Sequence, residues 1–133
     1  MRYSDEVLTR VREPQRVGTL PAGPGVGTGE SGTLADGTVI RIDVRVDGAR
    51  VVEARFKAFG CSAAIASAGL VAEWLEQASL VEAAGLTPER VVQRLHLAPE
   101  REDVARMAVA AALGAIANAA EATSDKRQVK SEK

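Results

Sequence analysis

From Ser4 onward the apolar residues Val7, Leu8 and Val11 fall on one helical face, and Ser4 is placed to cap that helix. Pro14 ends it, because the residue before a proline is pushed out of the helical region. Val17 to Gly32 then carries six glycines and two prolines with little apolar periodicity, and reads as a loop. A period of two takes over between Thr38 and Phe59. Val39, Ile40, Ile42, Val44 and Val46 nearly alternate with polar residues, Asp47-Gly48 supplies a tight turn, and Val51 to Phe59 runs back, which predicts a β-hairpin. Glu30 to Leu34, joined to the hairpin through Asp36-Gly37, predicts a third short strand and a small antiparallel meander with one solvated face.

After Gly60 the pattern becomes helical. Ala64, Ile65, Ala68, Leu70, Val71, Trp74 and Leu75 recur at helical spacing, with Ser62 as cap, Glu73 and Glu76 outside, and Trp74 and Phe56 as core residues. Ser79-Leu80-Val81-Glu82 has the form of a capping box and opens a short helix that Gly85 ends. Thr87-Pro88 starts another, running to about Leu95, and Pro99-Glu100 opens a long Ala-rich helix to about Ala122. The order helix, sheet, helices predicts an α+β fold: a three-stranded antiparallel sheet with helices packed on one face and a long C-terminal helix. One domain is expected over residues 1–122, with 123–133 a disordered polar tail.

Composition narrows the function. The chain of 133 residues is 46% apolar and 26% charged, an ordinary globular mix able to build a core. Lys plus Arg at 17 against Asp plus Glu at 18 leaves a net charge of −1, too weak a field to hold a polyanion. Two Phe, one Tyr and one Trp are too few for a platform that stacks bases, so no nucleic-acid partner is expected. The polar N-terminus carries no apolar signal core, and the longest apolar stretch, Met107 to Ala117, falls short of the ~20 residues that span a bilayer. A soluble cytoplasmic protein without a membrane partner is expected. The single cysteine, Cys61, excludes a disulfide framework within the chain and zinc ribbons or fingers.

Cys61 lies between sheet and helix in Phe59-Gly60-Cys61-Ser62-Ala63. A thiol in the first turn of a helix sits beside its positive dipole end, a good place for a reactive thiolate, while a small buried apolar role suits a free cysteine equally well. Asp36 falls in the Asp-Gly turn and Asp103 in the first turn of the last helix, where carboxylates also have purely structural reasons to stand. His96, the one histidine, reads as a helix cap. No G-x-S-x-G or Walker loop is present, and no histidine lies near Cys61 in sequence to serve as its base, so catalysis is not expected.

The run Arg55-Phe56-Lys57-Ala58-Phe59-Gly60-Cys61-Ser62-Ala63-Ala64-Ile65-Ala66-Ser67, continuing through Leu70-Val71 to Glu73-Trp74-Leu75 and Ser79-Leu80, closely resembles the central segment of NifU/IscU-type iron–sulfur cluster scaffold proteins, in their N-terminal scaffold domain. Tyr3-Ser4 to Val7, Glu13-Pro14 and Val17-Gly18 are similar to the family's first helix and turn, and Pro99-Glu100-Arg101 with Met107 resembles the start of its last helix. The likeness covers residues 3–119 and implies the same three-stranded fold. Members carry three cysteines; here the sheet-to-helix cysteine survives as Cys61, the turn cysteine position matches Asp36, the histidine position matches Asp103 and the last cysteine position matches Val104. The family's carboxylate beyond the turn is Thr38, and its proline-rich chaperone-recognition stretch is reduced to Leu97-Ala98-Pro99-Glu100-Arg101.

The resemblance implies Cys61 as the cofactor-binding residue and Cys61, Asp36 and Asp103 as the candidate metal set. A two-iron cluster needs about four ligands, normally thiolates, and carboxylates are hard donors, so a cluster held by this set is labile. Iron(II) or zinc held by one sulfur, two oxygens and a water is the mononuclear counterpart. The implied function is a divergent scaffold or carrier that binds iron or a transient cluster and docks on a cysteine desulfurase or another assembly or recipient protein, as a monomer or weak homodimer. The alternative is a scaffold-derived adaptor or regulatory protein of the same machinery that no longer binds metal.

Overall fold

Ser4 begins the fold as its position suggests. Its hydroxyl accepts the Val7 N–H at 3.3 Å and donates to the Leu95 carbonyl at 2.8 Å, so one side chain caps the first helix and ties it to the end of a later one. The computed structural model describes residues 3–132, with side chains through Glu121. In order the elements are α1 (Asp5–Arg12), β1 (Val26–Thr33), β2 (Thr38–Asp47), β3 (Arg50–Phe59), α2 (Ser62–Leu75), α3 (Leu80–Ala84), α4 (Pro88–Leu95), a 3-10 turn (Pro99–Arg101) and α5 (Glu102–Glu132). The tail expected over 123–133 lies outside the residues whose side chains are described.

The sheet is antiparallel in the order β1-β2-β3, so the predicted α+β architecture is found. Along β2 the period-two pattern turns Ile40, Ile42 and Val44 to one face, opposite Ala58, Phe56 and Ala54 of β3. That face is covered by α2 and α5, the first lying mainly on β3 and the second on β1 and β2. Ten of the residues of α2 are buried, which is why it shows no amphipathic stripe. The segment Pro99–Glu121 is long and apolar enough on length and composition to cross a bilayer, contrary to the sequence-based expectation. Its apolarity is spent on packing: Ala105, Ala108, Ala111, Ala112, Ala115 and Ala119 are fully buried against the sheet and neighbouring helices.

Three expectations need correction. Val17 to Gly32 is not all loop, since β1 starts at Val26, and the strand expected at Glu30 to Leu34 runs Val26–Thr33 instead. The glycines that read as loop are what α5 needs. A Cβ on Gly29 would overlap the Ala111 carbonyl oxygen and stand 2.5 Å from the Ala115 nitrogen, and one on Gly27 would stand 2.7 Å from the Ala119 Cα. Helix backbone thus lies directly on strand backbone, a close approach that only glycine permits. Second, the cap of α2 is Cys61; Ser62 is the first helical residue. Third, Glu76 is not simply outside: its carboxylate binds Arg16 at 2.8 Å, Arg55 at 3.1 Å and the Ala54 N–H at 3.1 Å along the outer edge of β3. Burial raises the Glu76 pKa, and Arg16, the Ala54 N–H and Arg55 outweigh it, so the carboxyl ends below its ordinary value.

Residues 16–25 form a strap over the other face of the sheet. Phe56 donates its N–H to the Arg16 carbonyl and accepts from Gly18, both at 2.9 Å, at the β3 edge; Leu20 N–H then reaches Asp43 at 2.8 Å, and Val46 N–H bonds the Gly25 carbonyl at 2.8 Å beside β1. Asp43, which alternation alone places on a solvated face, is 1% exposed beneath this strap. It also accepts from Thr28 at 2.8 Å and from Arg41 at 3.0 and 3.3 Å. Burial pushes its carboxyl up, and Arg41, the Leu20 N–H and the Thr28 hydroxyl together hold it below the usual carboxylate range.

Candidate functional site

The predicted site residues are carried by three neighbouring pieces of chain at one end of the sheet. β3 ends at Phe59, Gly60 takes φ +146, and Cys61 follows as the N-cap of α2 with φ −75 and ψ 169. The Cys61 carbonyl accepts the Ala64 and Ile65 N–H groups at 3.0 and 3.2 Å, while its side chain makes no capping bond. The thiol is therefore not consumed by the helix, and the residue is half-buried. A serine or aspartate here would bond the free helix N–H groups; a cysteine keeps its sulfur available.

The β1–β2 turn lies against this junction. A Cβ on Gly60 would meet the Thr38 side chain at 3.1 and 3.2 Å and the Gly37 carbonyl at 3.4 Å. Asp36 stands just before that contact, exposed, with its carboxylate accepting the Thr33 hydroxyl at 2.7 Å and its N–H donating to the same oxygen at 3.1 Å. The start of α5 comes in from β1, where the Met107 methyl presses on Gly32. Asp103 lies one turn before Met107 and is exposed, whereas Val104 is 3% exposed and belongs to the core.

The fold thus gathers the elements bearing Cys61, Asp36 and Asp103 at one end without closing a chelate. Among the described residues no group of three or more His, Cys, Asp and Glu side chains stands close enough to hold a metal ion. His96 ends α4 in the left-handed conformation at φ 55, as a cap. Around the junction, the sequence reading missed two exposed apolar side chains, Leu34 at 71% and Phe59 at 59%. They border a hollow of about 630 Å³ on the outer face, which Val39, Arg41 and Lys57 also line. The last residue of an alternating strand and a leucine in an Ala-Asp-Gly turn were the available signals.

The family model described as NifU-like N terminal domain matches residues 2–126. The chain belongs to this family. The iron-sulfur cluster assembly scaffold protein IscU of Haemophilus influenzae is 36% identical over 120 residues, covering 89% of this chain and 95% of that protein. IscU of Azotobacter vinelandii is 40% identical over 101 residues, covering 74% and 79%. Among solved structures, a nitrogen-fixing NifU-like protein (N-terminal) from Brucella abortus superposes with a TM-score of 0.63 at 19% identity, covering 92% of this chain and 94% of that one. A further structure, a scaffold protein for the SUF system from Fervidobacterium islandicum, gives 0.55 at 18% identity, covering 91% and 96%. At these identities the structural likeness is one of fold. Within a NifU-like domain the close packing of α5 on Gly27 and Gly29 brings the start of α5 to the end of the sheet where Cys61 caps α2.

Proposed function

We propose that this NifU-like domain is a divergent scaffold or carrier of iron–sulfur cluster assembly, non-catalytic, with Cys61 as its cluster- and iron-facing ligand. The observation that carries the reading is the Cys61 thiol: it sits at a helix N-cap without a capping bond, half-exposed, at the end of the sheet where the turn bearing Asp36 and the start of α5 meet. Asp36 and Asp103 serve as auxiliary oxygen donors. Cluster and iron are cargo, not a resident cofactor. One thiolate per chain cannot supply about four cluster ligands, so this domain holds cargo only together with donors from a docked cysteine desulfurase, a recipient protein or water.

A second reading has its own support. Val104 is buried and donates nothing, and no trio of ligands is assembled among the described residues. These favour an adaptor that docks on the assembly machinery without holding metal.

The experiment is anaerobic purification with iron, zinc and acid-labile sulfide measured per chain, before and after incubation with a cysteine desulfurase, for wild type and Cys61→Ser. The scaffold reading expects iron or iron with sulfide in the wild type and its loss in the variant. Serine caps helices well, so the variant keeps the fold and gains up to ~1 kcal/mol. Equal metal and sulfide in both proteins, or none in either, refutes the ligand role of Cys61. Copurification with a desulfurase that survives Cys61→Ala then supports the adaptor.

A further inference from the structure

Within α5 the residues from Met107 to Ala120 carry no charge, yet Ala110, Leu113, Gly114, Ala117 and Ala120 are exposed. A helix face turned to water normally carries charged side chains. Arg106, Ala110, Leu113, Ala117 and Ala120 follow one another by alternate steps of four and three, the spacing of a coiled-coil seam. The other side of the helix, through Ala111, Ala115 and Ala119, is the one pressed on β1, so the seam runs along the outside of the helix layer. One charge stands at either end of it, Arg106 and Glu121, and neither makes an ion pair or hydrogen bond among the described residues. Beside Arg106, α4 and α5 leave a hollow of about 160 Å³ lined by Glu89, Val92, Gln93 and Glu102.

We propose that two copies of this chain pack face to face and antiparallel along this side of α5, about a two-fold axis between Leu113 and Gly114. A second copy is the occupant because the face is its own complement. Counted outward from that axis, Arg106 of one copy lies level with Glu121 of the other at both ends of the seam. Parallel packing would instead set Arg106 against Arg106 and Glu121 against Glu121, so charge fixes the polarity. Ala110 then lies level with the other copy's Ala117, and Leu113 meets Leu113 across the axis with Gly114 beside it. Side chains this small let the two helix axes approach to about 8 Å, the close end of ordinary helix packing. Each α5 stands between its own sheet and the other helix, so the sheets do not meet. The end of each helix near Glu121 passes over the hollow between α4 and α5 of the other copy, where its side chains find room.

From Arg106 to Glu121 the seam is about 22 Å long at ~1.5 Å per residue. One helix pair of that length buries less than the ~1,200 Å² of a stable interface, so self-association is weak, with a dissociation constant of about 0.1–1 mM. The starts of the two α5 helices point in opposite directions and stand about 35 Å apart. Both Cys61 ends stay open, and the contact does not depend on the proposed function.

The test is sedimentation equilibrium of the reduced full chain up to about 2 mM at low salt, where exposed ion pairs are least screened. Reversible dimerisation is expected. Arg106→Glu and Glu121→Arg each set like charges level with one another at both ends, and each is expected to weaken association about tenfold. The two changes together recreate the pairs in reverse and are expected to restore association to within about threefold of wild type, which a damaged fold could not do. Leu113→Glu, at a position 39% exposed, sets two carboxylates against each other at the axis. It is expected to leave the circular dichroism unchanged and to abolish the dimer over the same range. A monomer at every concentration overturns the proposal and leaves the face to a different occupant. Association that survives Leu113→Glu in folded protein, or a double variant no tighter than its singles, overturns it equally.

Discussion

Gly29→Ala tests the contact on which the position of α5 depends. The added Cβ would lie 2.5 Å from the Ala115 nitrogen and 2.9 Å from the Ala111 carbonyl carbon, where ordinary contact begins at 3.4 Å. All of these neighbours are helix backbone, so no side chain can turn away. The helix cannot yield locally, because Ala108, Ala111, Ala112 and Ala115 are fully buried around the contact. Overpacking of this kind costs about 1–3 kcal/mol, and a backbone-to-backbone overlap belongs at the upper end. About 3 kcal/mol is a large part of the 5–15 kcal/mol typical of a domain, and for a chain of this size it lowers Tm by roughly 10 °C. Gly114→Ala is the internal control, since its Cβ would stand 3.6 Å from the Gly29 Cα, an ordinary contact. Within a helix that change is worth up to ~1 kcal/mol in favour of folding. Urea unfolding followed by circular dichroism at low protein concentration reads both. A Gly29→Ala midpoint equal to wild type, or a Gly114→Ala loss as large as that of Gly29→Ala, would show that α5 does not rest on β1 backbone.

Asp43→Asn is expected to cost about 2 kcal/mol at pH 7, since it weakens charge-assisted bonds from Arg41, Thr28 and the Leu20 N–H. The Asp43 carboxyl is held below its ordinary value, so its contribution is complete above the usual carboxylate pKa near ~4 and is lost as pH falls through the lower folded value. Wild type and variant therefore converge in stability at acid pH; a gap that stays constant down to pH ~2 contradicts the assignment. His96→Gly relieves a left-handed residue at φ 55 and is expected to raise stability by about 1 kcal/mol in a thermal melt. A fall in Tm would mean that His96 makes a contact worth more than its strain.

The elements legible in the sequence were those whose signal is local. The Ser4 cap with its apolar turn, the alternation from Val39 to Val46, the capping box Ser79–Glu82 and the proline that opens α4 all appear where their residues predict them. The candidate site was legible in part. Cys61 falls between strand and helix as its neighbours Gly60 and Ser62 suggest, with the cap shifted by one residue, and Asp36 and Asp103 occupy the turn and first helical turn expected of them. That their side chains form no metal-holding group among the described residues could not be read from spacing, because it depends on how three separate segments meet.

What the sequence determined by itself is the order of the elements and, for α1 and β2, which face is apolar, because periodicity, caps and breakers act within a few residues of themselves. What tertiary structure decided is the meaning of residues whose local signal is ambiguous or misleading. Gly27 and Gly29 read as loop until a helix some eighty residues later lies against them. Asp43 reads as solvated until the strap from residues 16–25 covers it. Glu76 reads as an outward helix residue until it supplies the acceptor for the exposed backbone of β3. In each case the deciding partner is far away in sequence, and close packing or an unpaired polar group, neither of which has a period, sets the outcome.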